Sequence, residues 1–481
     1  MAGIGFELRK IFKKNSVIAK LRGSAFAATI TVGPLIMIIV TLFLMYLFLG
    51  YSDILFASRE LLANTILYIF IFSLCSTAPF NAVISRYIAD KIYQNEEEDI
   101  LPCYYLTLTA NVVLCAIIGI CFCLWEYFVG KVDAIFVFTS FCAYIGLAII
   151  FINMLYIILI KEYQKITYSF IVGLLVSLIL GVVQVKLFGV EVQQAVISAF
   201  AVGFWIIGFC LMGCVRKFFK ENSRNYRGVL EYFKVHWRLL ATNALYIFGL
   251  YVHNFVYWTT HLQTVVVKSF VAAPAYDMAT CIAMFLNIST MVIFIVQVET
   301  NFHEKYQNYC QTLMGGTGED IEYAKGEMFR SIKNEIFFVI QIQVIFTVVG
   351  FFVFLFLLPM ISIGELITTM LPTMVVAYFL IFIMYCMIIF IYYFNRYTAA
   401  MITAGIFFVG NLVGSLIFKN TTPAFYAMGA LLAALGAFTY AYYAIRRIEK
   451  NLDYYIYCEG TITPMVVDKE YGQKIYENKT I

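Results

Sequence analysis

Apolar residues in this chain come in long runs, and charges or turn residues separate one run from the next. Such stretches cover roughly 24–50, 61–85, 101–128, 134–160, 166–188 and 194–214. After a basic break at 215–238 they resume at roughly 239–259, 276–300, 335–360, 370–394, 398–418 and 423–445. A bilayer's hydrocarbon layer is about 30 Å thick and a helix rises about 1.5 Å per residue, so about 20 apolar residues cross it. The pattern therefore predicts an all-α polytopic membrane protein with 12 transmembrane helices in two six-helix lobes. Residues 24–214 form the N-lobe and 239–445 the C-lobe. A basic segment (1–23) precedes them, 215–238 joins them, and the tail 446–481 is too short for a domain of its own.

Composition agrees. Hydrophobic residues make up 62% of the chain and charged ones 13%, with a mean hydropathy of +0.86, whereas soluble domains are about half apolar and about a quarter charged. Of the 33 Lys and Arg, 28 fall in alternate connections that begin with the N-terminal segment. The other face holds only Arg59, Lys131, Lys186, Lys268 and Lys419. Basic residues collect on the cytoplasmic side, so both termini are expected there. Adding or removing one span would throw every later basic loop to the wrong face. The first apolar run is too long for a cleaved signal and is expected to remain as the first span.

Residues 1–23 alternate Phe6, Leu8, Ile11, Phe12, Val17 and Ile18 with bases. The segment either lies along the inner membrane surface or serves as a solvated basic flank. A faint internal echo supports two halves: Lys91-Ile92-Tyr93-Gln94-Asn95 follows the second span, and Lys305-Tyr306-Gln307-Asn308 the eighth. Gly33-Pro34 and Pro79 interrupt the first two spans, where a missing backbone donor kinks or breaks a helix.

Polar groups within hydrocarbon are expensive and are expected to face a helix interface, a cavity or water. Here most are amides: Asn81, Asn111, Asn153, Gln184, Asn243, Asn254, Asn287, Gln297, Gln341, Gln343 and Asn411, with His253 beside them. Amides donate and accept without a desolvated charge, which suits a neutral, hydroxyl-rich ligand. They also serve to join helices. The cluster Tyr246, Tyr251, His253, Asn254, Tyr257 and Trp258 mixes amphipathic rings with polar groups. The candidate substrate path is Asn81, Asn111, Asn243, Tyr251, His253, Asn254, Tyr257, Asn287, Gln297 and Asn411, with Arg86 and Glu299 as charges at the inner mouth. Glu126, Lys186, Asp277 and Glu299 lie near span ends and are expected to snorkel into the headgroups.

Catalytic chemistry finds little support. The eight aspartates form no D-x-D, and His236, His253, His261 and His303 have no metal spacing. The twelve cysteines, most of them in proposed spans, lack a paired C-x-x-C set, so no metal and no cofactor is expected.

The opening MAGIGFELRK, then Leu21-Arg22-Gly23, Gly33-Pro34 and Arg86-Tyr87-x-Ala89-Asp90, resembles the PelG family of Pel exopolysaccharide transporters. The resemblance implies the twelve-helix, two-lobed fold of polysaccharide flippases and multidrug antiporters, with a cavity between the lobes. It implies as substrate a nascent, N-acetylhexosamine-rich polymer. The implied partners are the Pel glycosyltransferase PelF at the cytoplasmic face and PelD and PelE in the membrane. Three alternatives stay open: a lipid-linked oligosaccharide flippase or cation-coupled drug exporter of the same fold, a polytopic membrane enzyme, and a scaffold for a cytosolic glycosyltransferase.

Overall fold

The computed structural model describes residues 33–34, 36–50, 55–160, 162–360 and 364–458. The basic segment 1–23, with the motifs MAGIGFELRK and Leu21-Arg22-Gly23, and the tail beyond 458 lie outside the described residues. In chain order the N-lobe helices are α1 (Ile36–Phe48), α2 (Phe56–Tyr93), α3 (Ile100–Trp125), α4 (Ala134–Ile160), α5 (Tyr163–Lys186) and α6 (Val192–Phe218). A short helix, α7 (Tyr226–Val235), sits in the connection between lobes. The C-lobe holds α8 (Trp237–Tyr257), α9 (Pro274–Gln297), α10 (His303–Gly315), α11 (Gly318–Met360), α12 (Glu365–Tyr393), α13 (Tyr397–Phe418) and α14 (Met428–Tyr457).

Among the described residues ten helices are long and apolar enough to cross a membrane. With α1 and α9, which fall on the first and eighth predicted spans, they make the twelve. Large apolar side chains such as Ile117, Phe138, Ile179, Phe209, Ile345 and Ile417 stand exposed on the helix surfaces. Water would not tolerate so many in one molecule, and lipid tails do.

The helices run past the hydrophobic limits read from sequence. Helix α2 continues to Tyr93, α11 begins at Gly318, and α14 reaches Tyr457. The start of the predicted tail is thus a docked helical end: Lys325 pairs with Asp453 at 2.7 Å, and the Arg396 guanidinium lies 3.3 Å over the Tyr455 ring. Pro79 does not break α2, which stays helical through it. Hydroxyls of the same region bond back to the helix, Ser76 to the Phe72 carbonyl at 2.8 Å and Thr77 to that of Ser73.

One element departs from the all-helical expectation. Strands β1 (Thr264–Val266) and β2 (Phe270–Ala272) pair antiparallel between α8 and α9. Val267 and Lys268 turn the chain with φ of 50° and 61°, and Ser269 N–H closes the turn on the Val266 carbonyl at 3.2 Å. That mirror-image turn matches strand twist but normally uses Asn and Gly. A β-branched residue there is strained by about 1–3 kcal/mol and held by the packing around it.

The fifth and sixth spans of each lobe cross through small residues. A Cβ on Gly173 of α5 would lie 2.8 Å from the Gly203 carbonyl of α6, and one on Gly414 of α13 would lie 2.6 Å from the Gly429 Cα of α14. Backbones this close gain dispersion that larger residues would forbid. Gly429→Val should therefore destabilise the protein by about 1–3 kcal/mol. Gly213→Ala, which meets nothing within 4 Å, should leave thermal unfolding in detergent unchanged.

Candidate functional site

Helices α2 and α8 run antiparallel and form the seam between the lobes. At one end the Tyr68 ring stacks on Trp258 with centroids 5.1 Å apart and planes 8° from parallel. Next along the seam, Phe72 stacks on Phe255 at 6.1 Å. Further on, the Asn243 amide donates to the Ala78 carbonyl at 3.3 Å and accepts from the Tyr392 hydroxyl at 3.3 Å. Asn81 sits half-buried beside this point. Its buried Oδ1 has no hydrogen-bond partner among the described residues.

The β-hairpin closes the Tyr68 end. Tyr68 hydroxyl donates to the Val271 carbonyl at 2.7 Å and accepts from Val271 N–H at 3.1 Å, so one side chain acts as a further rung of the sheet. A Cβ on Gly130, just past α3, would lie 2.6 Å from Ser269 Oγ. A C-lobe loop is thus seated directly on the N-lobe.

The other end is tied by the connection between the lobes. Asp90 of α2 accepts from the Tyr232 hydroxyl of α7 at 2.6 Å and pairs with Arg86 at 3.1 Å. Tyr87 meets the Tyr232 ring edge-on at 5.0 Å, and Tyr232 stacks on His236 at 4.1 Å. His236 in turn meets Tyr397 of α13 at 5.9 Å. Nearby, Lys91 bridges Glu96 at 2.8 Å and Asp99 at 2.6 Å, and Ser223 N–H bonds the Glu98 carbonyl at 3.1 Å. The Arg86-Tyr87-x-Ala89-Asp90 motif is therefore a latch that holds α7 and, through it, both lobes. Lys305, after α9, pairs with Glu327 within α11 at 3.3 Å, whereas Lys91, in the last turn of α2, pairs with Asp99 just ahead of α3.

The other predicted path residues separate from the seam. Asn111 donates to Ala148 of α4 at 3.3 Å, and Asn411 to Gly249 of α8 at 2.8 Å; both are fully buried within one lobe. Asn153 and Gln184 likewise join neighbouring N-lobe helices. His253 is fully buried between the hydroxyls of Tyr276 at 2.8 Å and Tyr378 at 3.1 Å. Tyr257 donates to the Tyr426 carbonyl at 2.8 Å, and Asn287 accepts from Gln343 of α11. Tyr251 is half-buried on α8. The side chains of Gln297 and Glu299 lie outside the described residues. Among the four expected snorkelling charges, Lys186 is exposed. Asp277, however, is enclosed by Asn254 at 2.7 Å, by Trp258 Nε1 at 3.0 Å and by Ala273 N–H at 3.1 Å. Glu126 is only 2% exposed, so neither acid snorkels; the helix ends that carry them are covered by the hairpin region rather than open to headgroups. Sequence reading missed Tyr68, which carries no signal beyond being one Tyr among 35, and Tyr232, whose partner Asp90 stood in the quoted motif.

The latch has a pH signature. Burial holds the His236 imidazole below its ordinary value, and the Arg86 charge acts in the same direction against the Tyr232 carbonyl and Asp90. The fold thus prefers neutral His236. Its stabilisation is complete above the ordinary histidine value of about 6.5 and is lost as pH falls below it. Thermal unfolding of the wild type should show this acid-dependent loss, and His236→Gln should flatten it. Removing the charge-assisted bond with Tyr232→Phe should cost about 1–3 kcal/mol at neutral pH.

No curated protein sequence matches the chain. Its fold is similar to that of a mutant of the Vibrio cholerae MATE transporter VcmN, with a TM-score of 0.60 and 12% identity over 92% of this chain and 98% of that one. It is also similar to an outward-facing multidrug resistance MATE family transporter of the MOP superfamily, with a TM-score of 0.55 and 12% identity over 88% and 96% of the two chains. The eukaryotic MATE transporter AtDTX14 matches at 0.51 with 12% identity over 89% and 96%. Such identities establish the transporter fold alone. A family model described as "PelG: Putative exopolysaccharide Exporter (EPS-E)" matches residues 1–457. A multi-pass MATE-like membrane protein whose first 457 residues match that model belongs to the PelG family of exopolysaccharide exporters.

Proposed function

We propose that the chain exports nascent Pel exopolysaccharide, an N-acetylhexosamine-rich polymer, from the cytoplasm across the cytoplasmic membrane during assembly of a biofilm matrix. The observation that carries this reading is the seam. It joins two six-helix lobes through stacked rings and hydrogen bonds spaced along α2 and α8, and it holds polar groups between them. Asn81 Oδ1 is an unmet acceptor there, and Asn243 spends its amide across the lobes. Sugar hydroxyls and N-acetyl groups are neutral donors and acceptors that replace such bonds at little cost.

On this reading the polymer passes along the flank of α2 and α8, in contact with Asn81, Asn243 and Tyr251, and Arg86 stands at the inner mouth. The buried Asn111, His253, Asn254, Tyr257 and Asn411 hold the walls rigid. The positive-inside distribution supports a cytoplasmic position for the latch end and both termini on this reading. PelF would deliver polymer to that face, with PelD and PelE beside the chain in the membrane. Parting of the lobes at alternate ends would pass the polymer through, as expected for a two-lobed transporter.

Vesicles reconstituted with the chain and its synthase should accumulate labelled polymer in the lumen. Full luminal delivery without the chain would contradict the proposal. The outer contact offers a control: Gly130→Cys with Ser269→Cys places two thiols across the lobes. Oxidation should cut delivery at least about tenfold, and reduction should restore it, because a disulfide bars the hairpin from lifting.

A further inference from the structure

Beneath the hairpin the N-lobe contains a cavity of about 140 Å³ between α2, α3, α4 and β2. Its walls are aromatic: Tyr68, Phe72, Phe122, Tyr144 and Phe270 surround it. One charged side chain reaches in, that of Glu126, from the π-helical turn that ends α3. Glu126 is 2% exposed as a residue, and its buried Oε1 has no hydrogen-bond partner among the described residues. Among the described residues no Lys, Arg or His lines the cavity.

The contrast with Asp277 is instructive. That acid lies across the same Trp258–Tyr68 stack and receives three protein donors. Glu126 receives none at Oε1. An isolated carboxylate against apolar walls is costly, and its cost is relieved by a counter-charge placed within contact distance. Here the described residues supply none at the cavity, while they do supply aromatic faces, which attract a cation through their quadrupoles. A cavity near 150 Å³ admits a single six-membered ring. One lining residue, Ile118 of α3, is 38% exposed, so the cavity reaches the surface of the lobe there.

We propose that the Glu126 cavity is a binding site for an ammonium group, with the carboxylate as counter-ion and the rings as its cage. Two sources carry that chemistry, an amino sugar with a free amine and the headgroup of an aminophospholipid. The site lies apart from the seam amides, so it stands whether or not the chain carries Pel polymer.

The test uses the full chain in nanodiscs of phosphatidylglycerol, at a pH where amines are protonated. Glucosamine and N-acetylglucosamine are titrated separately, and a second set of discs contains phosphatidylethanolamine. The readouts are the midpoint of thermal unfolding and Trp fluorescence, since Trp258 stacks on the cavity wall at Tyr68. A rise with glucosamine but not N-acetylglucosamine identifies the sugar amine; a rise with phosphatidylethanolamine identifies the headgroup. Either response should weaken at least about tenfold in Glu126→Gln. Phe122→Leu, which removes one half-buried ring and keeps the carboxyl, should weaken it several-fold and provides the comparison if the Gln variant does not fold. No response to either amine, an equal rise with both sugars, or full responses in both variants would overturn the proposal. These are binding readouts, so their failure leaves the export assay untouched.

Discussion

In hydrocarbon a polar group has no water to fall back on, so each buried donor and acceptor must find its partner within the protein. That constraint organises the molecule. Asn111, Asn153, Gln184 and Asn411 bond backbone carbonyls or side chains of neighbouring helices, which fixes the register of helices that apolar packing alone would let slide. His253, held between two tyrosine hydroxyls, does the same for α8, α9 and α12. Each lobe becomes a rigid body, with small residues bringing its last two helices into backbone contact.

The lobes differ from their interiors in how they meet. Within a lobe, helices share long apolar faces. Across the seam the hydrogen bonds and stacked rings gather at a few points: the Tyr68 rung to the hairpin, the Phe72–Phe255 stack, Asn243, and the Asp90–Tyr232 latch. Apolar side chains of α2 and α8 pack between these points, and each polar point can be replaced by a water or a substrate group when it parts. The amide of Asn81, whose Oδ1 has no partner among the described residues, belongs to this exchangeable set.

Much of the fold was legible in one dimension. Span number follows from run length, and the lopsided Lys and Arg distribution checks it independently. What hydropathy could not see were the short amphipathic α7 and the polar first turns of α11, since these are stabilised by caps and docking rather than by lipid. Asn225 caps α7 by accepting from Gly228 N–H at 3.0 Å. The hairpin was invisible because its strands are three residues each and its turn lacks the usual glycine.

The site was legible only as a list of candidates. Asn81 and Asn111 are the same residue type in similar apolar surroundings, yet one lies at the seam with an unmet oxygen and the other is fully buried against α4. Which face of its helix meets which neighbour decides the difference, and that is a tertiary fact. The same holds for Glu126 and Asp277, alike in sequence position near span ends and opposite in the donors they receive. The central claim is that the two lobes are rigid and the seam between them is not. Pulsed electron paramagnetic resonance between spin labels on the exposed Lys131→Cys and Lys268→Cys positions, one on each lobe beside the hairpin contact, tests it in nanodiscs. Two resolved distance populations whose ratio shifts on adding polymer are predicted, with label pairs inside a lobe unchanged. A single distance that polymer does not move would contradict the account.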